Sequence, residues 1–245
     1  MEKPNTVAEL AIAMPVSIPV LQRLKIDYCC HGDQSVQQAC NAAGMTADEL
    51  MHLIEKEPAA GDVRSWDGVT LTEVVRFVID THHAYTRQSL ETLQWMAAKV
   101  RDRHGAHHPE LATLARLVAE ATDDLIPHMM KEEQILFPYI EQIEEAQTNG
   151  TDAPTPFFGT ARNPVRMMMA EHETVGEKLA EMRSITEDYT LPEGACTTFT
   201  AYFNLLQDLE RDLHNHIHLE NNILFPRAIA LEDEAPKAVR AGAAW

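Results

Sequence analysis

His128-Met-Met-Lys-Glu132-Glu-Gln-Ile-Leu-Phe137-Pro138 returns 88 positions later as His216-Ile-His-Leu-Glu220-Asn-Asn-Ile-Leu-Phe225-Pro226. Both copies read His-x-x-x-Glu, followed at the same offset by Ile-Leu-Phe-Pro. On a helix, residues four apart lie on one face, one turn apart. Each copy therefore sets an imidazole beside a carboxylate, and two copies facing each other make a paired metal site. An upstream histidine accompanies each copy: His83 lies 45 residues before His128, and His172 lies 44 before His216. A single His-x-x-x-Glu is a weak signal, since a lone helical histidine is more often a surface or core residue. Two copies with the same apolar tail and a matching upstream histidine are a strong one.

Working outward, Thr70-Leu-Thr-Glu73 is a capping box that opens a long helix with apolar positions Leu71, Val74, Val75, Val78 and Ile79. It carries His82 and His83 and frays near His104-Gly105. A second long helix covers about Glu110 to Glu145, and Pro127 and Pro138 predict a kink or local break near each. Asn163-Pro164 reads as a cap with Pro at the first helical position of a third helix, which carries His172 and runs to Glu187. A fourth spans Cys196 to Ala230, and a charged, Ala-rich tail follows over 231–245. Short connections make these an up-down four-helix bundle over 70–230. The depths agree. His83 lies 24 residues before the first hairpin loop at His107, and His128 lies 21 after it. His172 lies 20 before the second loop at Pro192, and His216 lies 24 after it.

Residues 1–57 form a small helical unit, with apolar segments Val7–Ala13 and Ile18–Ile26 broken by Pro15 and Pro19. A helix from Ser35 to Ala43 stops at Gly44, and a capping box at Thr46-Ala-Asp-Glu49 opens another to Glu57. Residues 58–69 read as a linker. The fold class is all-α.

His83, His128, Glu132, His172, His216 and Glu220 are the candidate ligands, although spacing alone does not separate His82 from His83. Neutral imidazole with carboxylate suits iron, zinc or manganese. With two six-coordinate ions, four imidazoles and two bridging carboxylates leave positions for an oxo or hydroxo bridge and for exogenous ligands. Such a site binds a small molecule such as O2 or NO, or lets a metal leave. Glu133 and Glu171 adjoin candidate ligands; they either steer cations or protons or are exposed charges, the second reading being slightly favoured. His218 has Met130 at its counterpart, which argues against a ligand role.

The net charge of -18 argues against nucleic acid or an anionic membrane as partner, since both favour Lys/Arg surfaces. No run of about 18 apolar residues predicts a membrane span, and Met-Glu-Lys-Pro does not open a signal peptide. Of the four cysteines, Cys29 and Cys30 are adjacent, which is no disulfide framework and fits a reducing, cytoplasmic setting. They sit in a turn-like stretch, Tyr28-Cys29-Cys30-His31-Gly32-Asp33. One reading makes them accessible thiols for redox chemistry or for passing a metal; the other makes them packed residues ending a helix.

Asp27-Tyr-Cys-Cys-His-Gly32, the two His-x-x-x-Glu motifs with Ile-Leu-Phe-Pro, Glu171-His172-Glu173, Glu193-Gly-Ala-Cys-Thr-Thr198 and Leu219 to Arg227 together resemble the di-iron iron–sulfur cluster repair (RIC) family. The resemblance covers nearly the whole chain. It implies a hemerythrin-like bundle behind an ScdA-type N-terminal domain. It also implies a centre of two non-haem iron ions, with His83, His128, Glu132, His172, His216 and Glu220 as ligands and both Glu bridging. His83 is selected over His82, and Cys29 and Cys30 become the functional pair of the N-terminal domain.

The implied role is restoring iron–sulfur clusters damaged by nitric oxide or oxidative stress, with the damaged proteins as partners and the chain a monomer or homodimer. Three chemistries are compatible: iron donation, which the separate thiols favour; NO reduction to N2O, which needs a reductant; and reversible O2 or NO binding or sensing, for which the thiols are unnecessary.

Overall fold

The computed structural model describes residues 4–58 and 64–234. In the N-terminal unit, α1 (Val7–Ala13), α2 (Ile18–Arg23), α3 (Val36–Ala42) and α4 (Ala47–Lys56) follow in order. Three open on capping boxes, at Thr6/Glu9, Ser35/Gln38 and Thr46/Glu49. In each, two otherwise orphaned backbone donors are satisfied within four residues of chain. Gly44 takes φ 73, the left-handed conformation that ends α3, as its sequence position predicts. Apolar residues of all four helices, with Tyr28 and Cys29, form one core, and Ile217 from the last bundle helix completes it.

The bundle begins at the Thr70/Glu73 capping box with α5 (Leu71–Phe77), continued by α6 (Ala84–His104). Next come α7 (Glu110–Lys131) with α8 (Phe137–Asn149), then α9 (Arg162–Ile185), then α10 (Thr197–Leu219) with α11 (Phe225–Glu234). α6 packs on α7 and α10, α7 on α9, and α5 on α8. No helix of the described residues is long and apolar enough to cross a membrane.

Three rods are interrupted by a π turn, at Val78–His83, Glu132–Leu136 and Glu220–Leu224. In the latter two, the Phe N–H reaches back five residues, from Phe137 to the Glu132 carbonyl and from Phe225 to that of Glu220. The break expected near Pro138 thus lies just before it, a second that the sequence did not predict lies just before Pro226, and the break expected near Pro127 is absent, since α7 runs through it. The five-residue turn sits where the proline one position later supplies no N–H. Asn163 does not cap α9. That helix starts at Arg162, and the Asn163 amide donates to the Phe158 carbonyl (2.8 Å). Two segments of the expected linker and tail, 59–63 and 235–245, lie outside the described residues.

Among the described residues, the bundle has two large apolar cores and a smaller cluster of Tyr139, Ile143 and Ala161. One large core gathers Leu90, Leu93, Leu114, Leu125 and Leu206; the other gathers Val74, Val78, Leu136, Phe137, Leu224 and Phe225. Between them, in sequence and in space, lies a buried polar layer: His83, His128, Glu132, His172, His216 and Glu220. The Phe of each Ile-Leu-Phe-Pro tail lines this layer, while Ile135 is exposed. Phe137 stacks on His83 at 5.8 Å between ring centroids, and Phe225 on His172 at 6.3 Å. Truncating either ring to Ala costs about 3–5 kcal/mol.

Candidate metal centre

The π turn at Val78–His83 decides which of two adjacent histidines enters the layer. Val74 and Val78 face the core, and a regular α-helix would bring His82 inward next. The π turn adds one residue, so His83 takes that position and is completely buried. His82 instead bonds through Nδ1 to Asp212 (2.9 Å) and stacks on the His216 ring. The other five predicted residues reach the same layer, Glu132 and Glu220 at zero exposure. His218 stays outside. Asn222 Nδ2 donates to its Nδ1 (2.9 Å), and the ring packs on Tyr28.

The ligand-type atoms fall into two groups, each with all atoms within 4.8 Å of one another. One is His83, His216, Glu132 and Glu220; the other is His128, His172, Glu132 and Glu220. Both carboxylates thus belong to both groups. His83 Nε2 lies 3.4 Å from Glu132 Oε2, and His128 Nε2 lies 3.3 Å from the same atom. Glu220 Oε1 is 2.9 Å from His216 Nε2, and its Oε2 is 3.1 Å from His172 Nε2.

The outer faces of three rings fix their tautomers. His83 Nδ1 donates to Glu133 (2.7 Å), and Arg87 neutralises that carboxylate at 2.9 Å. His128 Nδ1 donates to Glu171 (2.8 Å), which Lys131 also holds. Both glutamates therefore act on the cluster, contrary to their expected role as exposed charges. Burial pushes each up, but the Arg87 and His83 bonds hold Glu133 below the usual carboxylate range, as Lys131 and His128 do Glu171. His172 Nδ1 donates to Asn221 Oδ1 (2.9 Å). The Asn221 amide is oriented by its other end, which donates to the Cys29 carbonyl (3.1 Å). With Nδ1 carrying the proton, the Nε2 atoms of these rings present lone pairs inward.

This geometry tests whether cations fit. His128 and His172 approach through Nε2 at 3.0 Å, and His83 and His216 at 3.2 Å. Ring nitrogens meet at that distance only with a proton or a metal cation between them. Both oxygens of Glu132 and Oε2 of Glu220 are buried without a hydrogen-bond partner. Burial and the Glu220 charge push Glu132 up, yet His128 and His83 outweigh them and hold it below the usual carboxylate range. Burial likewise raises Glu220, while His216 and His172 hold it well below that range. Burial lowers His128, but Glu132 outweighs it and raises the ring to about 9. Ionised carboxylates at zero exposure attract cations strongly, and the donor set is that of a metal site.

Cys29 and Cys30 lie in a turn that docks on this centre. Asn222 Nδ2 donates to the Tyr28 carbonyl (3.1 Å), next to the Asn221 bond to Cys29. The Tyr28 hydroxyl donates to Asn215 (2.9 Å). Both cysteines are free; Cys29 is buried and Cys30 partly exposed. The Cys30 contact, burial and the Asp27 charge push the Cys29 thiol well above its ordinary value. The outer partners Glu133, Glu171 and Asn221 were missed as such by the sequence. Their one available signal was position: Glu133 and Asn221 directly follow the two motif glutamates, and Glu171 directly precedes His172.

Residues 75–228 match the Hemerythrin family, described as the hemerythrin HHE cation binding domain. Residues 3–57 match ScdA_N, described as a domain of unknown function (DUF542). The chain is 34% identical over 228 residues to the iron–sulfur cluster repair protein YtfE of Yersinia pseudotuberculosis serotype IB (strain PB1/+), covering 92% of this chain and 96% of that protein. The same figures hold for YtfE of Yersinia pestis (strain Pestoides F). Two family matches in this order, and relatives similar from end to end, show that the chain belongs to the family of iron–sulfur cluster repair proteins with an ScdA-type N-terminal domain and a hemerythrin-type domain.

Proposed function

We propose that the chain repairs iron–sulfur clusters damaged by nitric oxide or oxidative stress, and that it does so in the cytoplasm by donating iron. The carrying observation is the pair of His/His groups that share Glu132 and Glu220, both fully buried. By this reading His83 and His216 would hold one non-haem iron and His128 and His172 the other, with Glu132 and Glu220 shared between them. Such a pair of ions would supply a releasable store of iron and a place for NO or O2 to bind. Residues 1–57 and 70–230 are the two domains, joined by 58–69.

The protein's own groups divide the work. Glu133, Glu171 and Asn221 keep Nδ1 protonated on three rings, which leaves Nε2 free for metal. Phe137 and Phe225 floor the layer and keep bulk water from the carboxylates. Cys29 and Cys30, one hydrogen-bonded residue away from His172 through Asn221, are where iron or reducing equivalents pass to a client protein. That linkage favours donation over simple carriage of a small molecule, for which a docked thiol unit has no use.

The test is anaerobic. The protein is loaded with labelled ferrous iron and mixed with an enzyme whose [4Fe–4S] cluster has been damaged by NO. Donation requires label and activity to appear together in that enzyme. Recovered activity without label would transfer the role to NO removal or reduction, and the absence of both label and recovery would point to sensing or to a missing partner.

A further inference from the structure

We propose that Asp27, Cys29 and Cys30 form a second, separate cation site, a three-ligand transit position with its fourth coordination place open. The ligand atoms of these residues lie within 4.8 Å of one another. Cys29 Sγ is 3.8 Å from Cys30 Sγ and 3.4 Å from Asp27 Oδ1. A tetrahedral ion with metal–sulfur bonds of about 2.3 Å holds its two sulfurs about 3.8 Å apart. With a metal–oxygen bond of about 2.0 Å, sulfur and oxygen sit about 3.5 Å apart. The side chains thus stand at the spacing an ion imposes, and a disulfide would require the sulfurs to close to about 2.05 Å.

The turn holds them there. Asp27 Oδ1 accepts the Cys29 and Cys30 amides (3.0 and 2.9 Å), and its Oδ2 accepts from His31 Nδ1 (2.8 Å). The Cys29 carbonyl is anchored by Asn221. Two thiolates and a carboxylate suit a borderline divalent ion such as ferrous iron or zinc. Binding replaces two thiol protons, which leave to solvent, by one metal ion with no change of oxidation state.

A cavity adjoins the three ligands, from which a fourth would enter. Asp27, Cys29 and Cys30 line a cavity of about 1170 Å³ between the N-terminal unit, α9 and α10. α9 stands close to Cys30 Sγ at Gly176, where an added Cβ would touch the sulfur at 3.9 Å, so the glycine keeps its own side chain out of that space. An ion held by three ligands, with one place open to a cavity, exchanges with a fourth ligand from another molecule. The assignment deepens the thiol role given above and rests on the repair reading only for which ion travels.

The experiment titrates the metal-free, reduced full-length chain with cobalt(II) under argon. The expected result is three ions per chain and a near-ultraviolet sulfur-to-cobalt charge-transfer band. Cys29→Ser and Cys30→Ser each lose the band and one ion and keep two, which also shows that the bundle is folded. Asp27→Asn keeps the band but weakens its midpoint about tenfold or more, since even an outer-shell partner is worth about 10–100-fold. His172→Ala, which damages the bundle site, keeps the band. Two ions without a thiolate band, or a band that survives Cys29→Ser, would overturn the site. Failure of iron transfer with the band intact would overturn the repair reading alone.

Discussion

Asn221 hydrogen-bonds both a cluster histidine and the cysteine turn, so replacing it tests the link between them. It accepts from His172 Nδ1 at 2.9 Å and donates to the Cys29 carbonyl at 3.1 Å. Asn221→Leu preserves volume and removes both bonds. Two buried polar groups then lack partners, at about 1–3 kcal/mol each. Asn222 still holds the Tyr28 carbonyl, so the N-terminal unit stays docked and the expected loss of stability is about 2–6 kcal/mol. Loss of the Nδ1 acceptor frees the His172 ring to rotate or change tautomer, which weakens metal binding by about 10–100-fold, or roughly 1.5–3 kcal/mol.

Asn221→Asp is the informative partner. Its carboxylate still accepts from His172 and makes that ring more basic, but it sets an oxygen against the Cys29 carbonyl. Stability falls in both variants, whereas iron retention falls only in Asn221→Leu. Urea unfolding measures the first quantity and the rate of iron loss to a chelator the second. Wild-type iron retention by Asn221→Leu, or equal loss by both variants, would refute the argument that the outer partner fixes the ring.

Other consequences are direct. Glu133→Gln and Glu171→Gln should each lower iron affinity about 10–100-fold with little change in helix content, measured by metal competition and circular dichroism. Removing metal should leave the helices formed, since the two apolar cores do not depend on it, and lower the midpoint of thermal unfolding; a ligand at 100 times its Kd contributes about 2.7 kcal/mol. Arg183→Met should destabilise the chain by about 3–5 kcal/mol in urea, because Arg183 Nη2 at 2.8 Å is what compensates the buried Glu210 carboxylate. His218 is buried, and burial lowers its pKa to about 4. A base with a depressed folded-state pKa contributes stability fully above its unfolded value near 6.5 and loses it as pH falls through 4. Acidification across that window should therefore cost the wild type about 3 kcal/mol more than it costs His218→Gln, read from unfolding curves at each pH.

Much of this was written in local sequence. The capping boxes at Thr46 and Thr70 close within four residues, and the His128/Glu132 and His216/Glu220 pairs are set by one helical turn, so no tertiary knowledge was needed to read them. The duplicated motif with its upstream histidines then required four antiparallel helices to bring the pairs to one depth. Tertiary structure decided what depends on rotation about helix axes and on contacts between distant segments. The choice between His82 and His83 turned on a π turn that adds one residue, and no proline marks it in the sequence. Phe137 and Phe225 became the floor of the polar layer because two further π turns place them beside the histidines. Glu133 and Glu171 looked like exposed charges because their partners lie 50 and 43 residues away. Asn221 joins the cysteine turn to the cluster across 192 residues of chain, a distance over which only packing, and not periodicity, can specify a hydrogen bond.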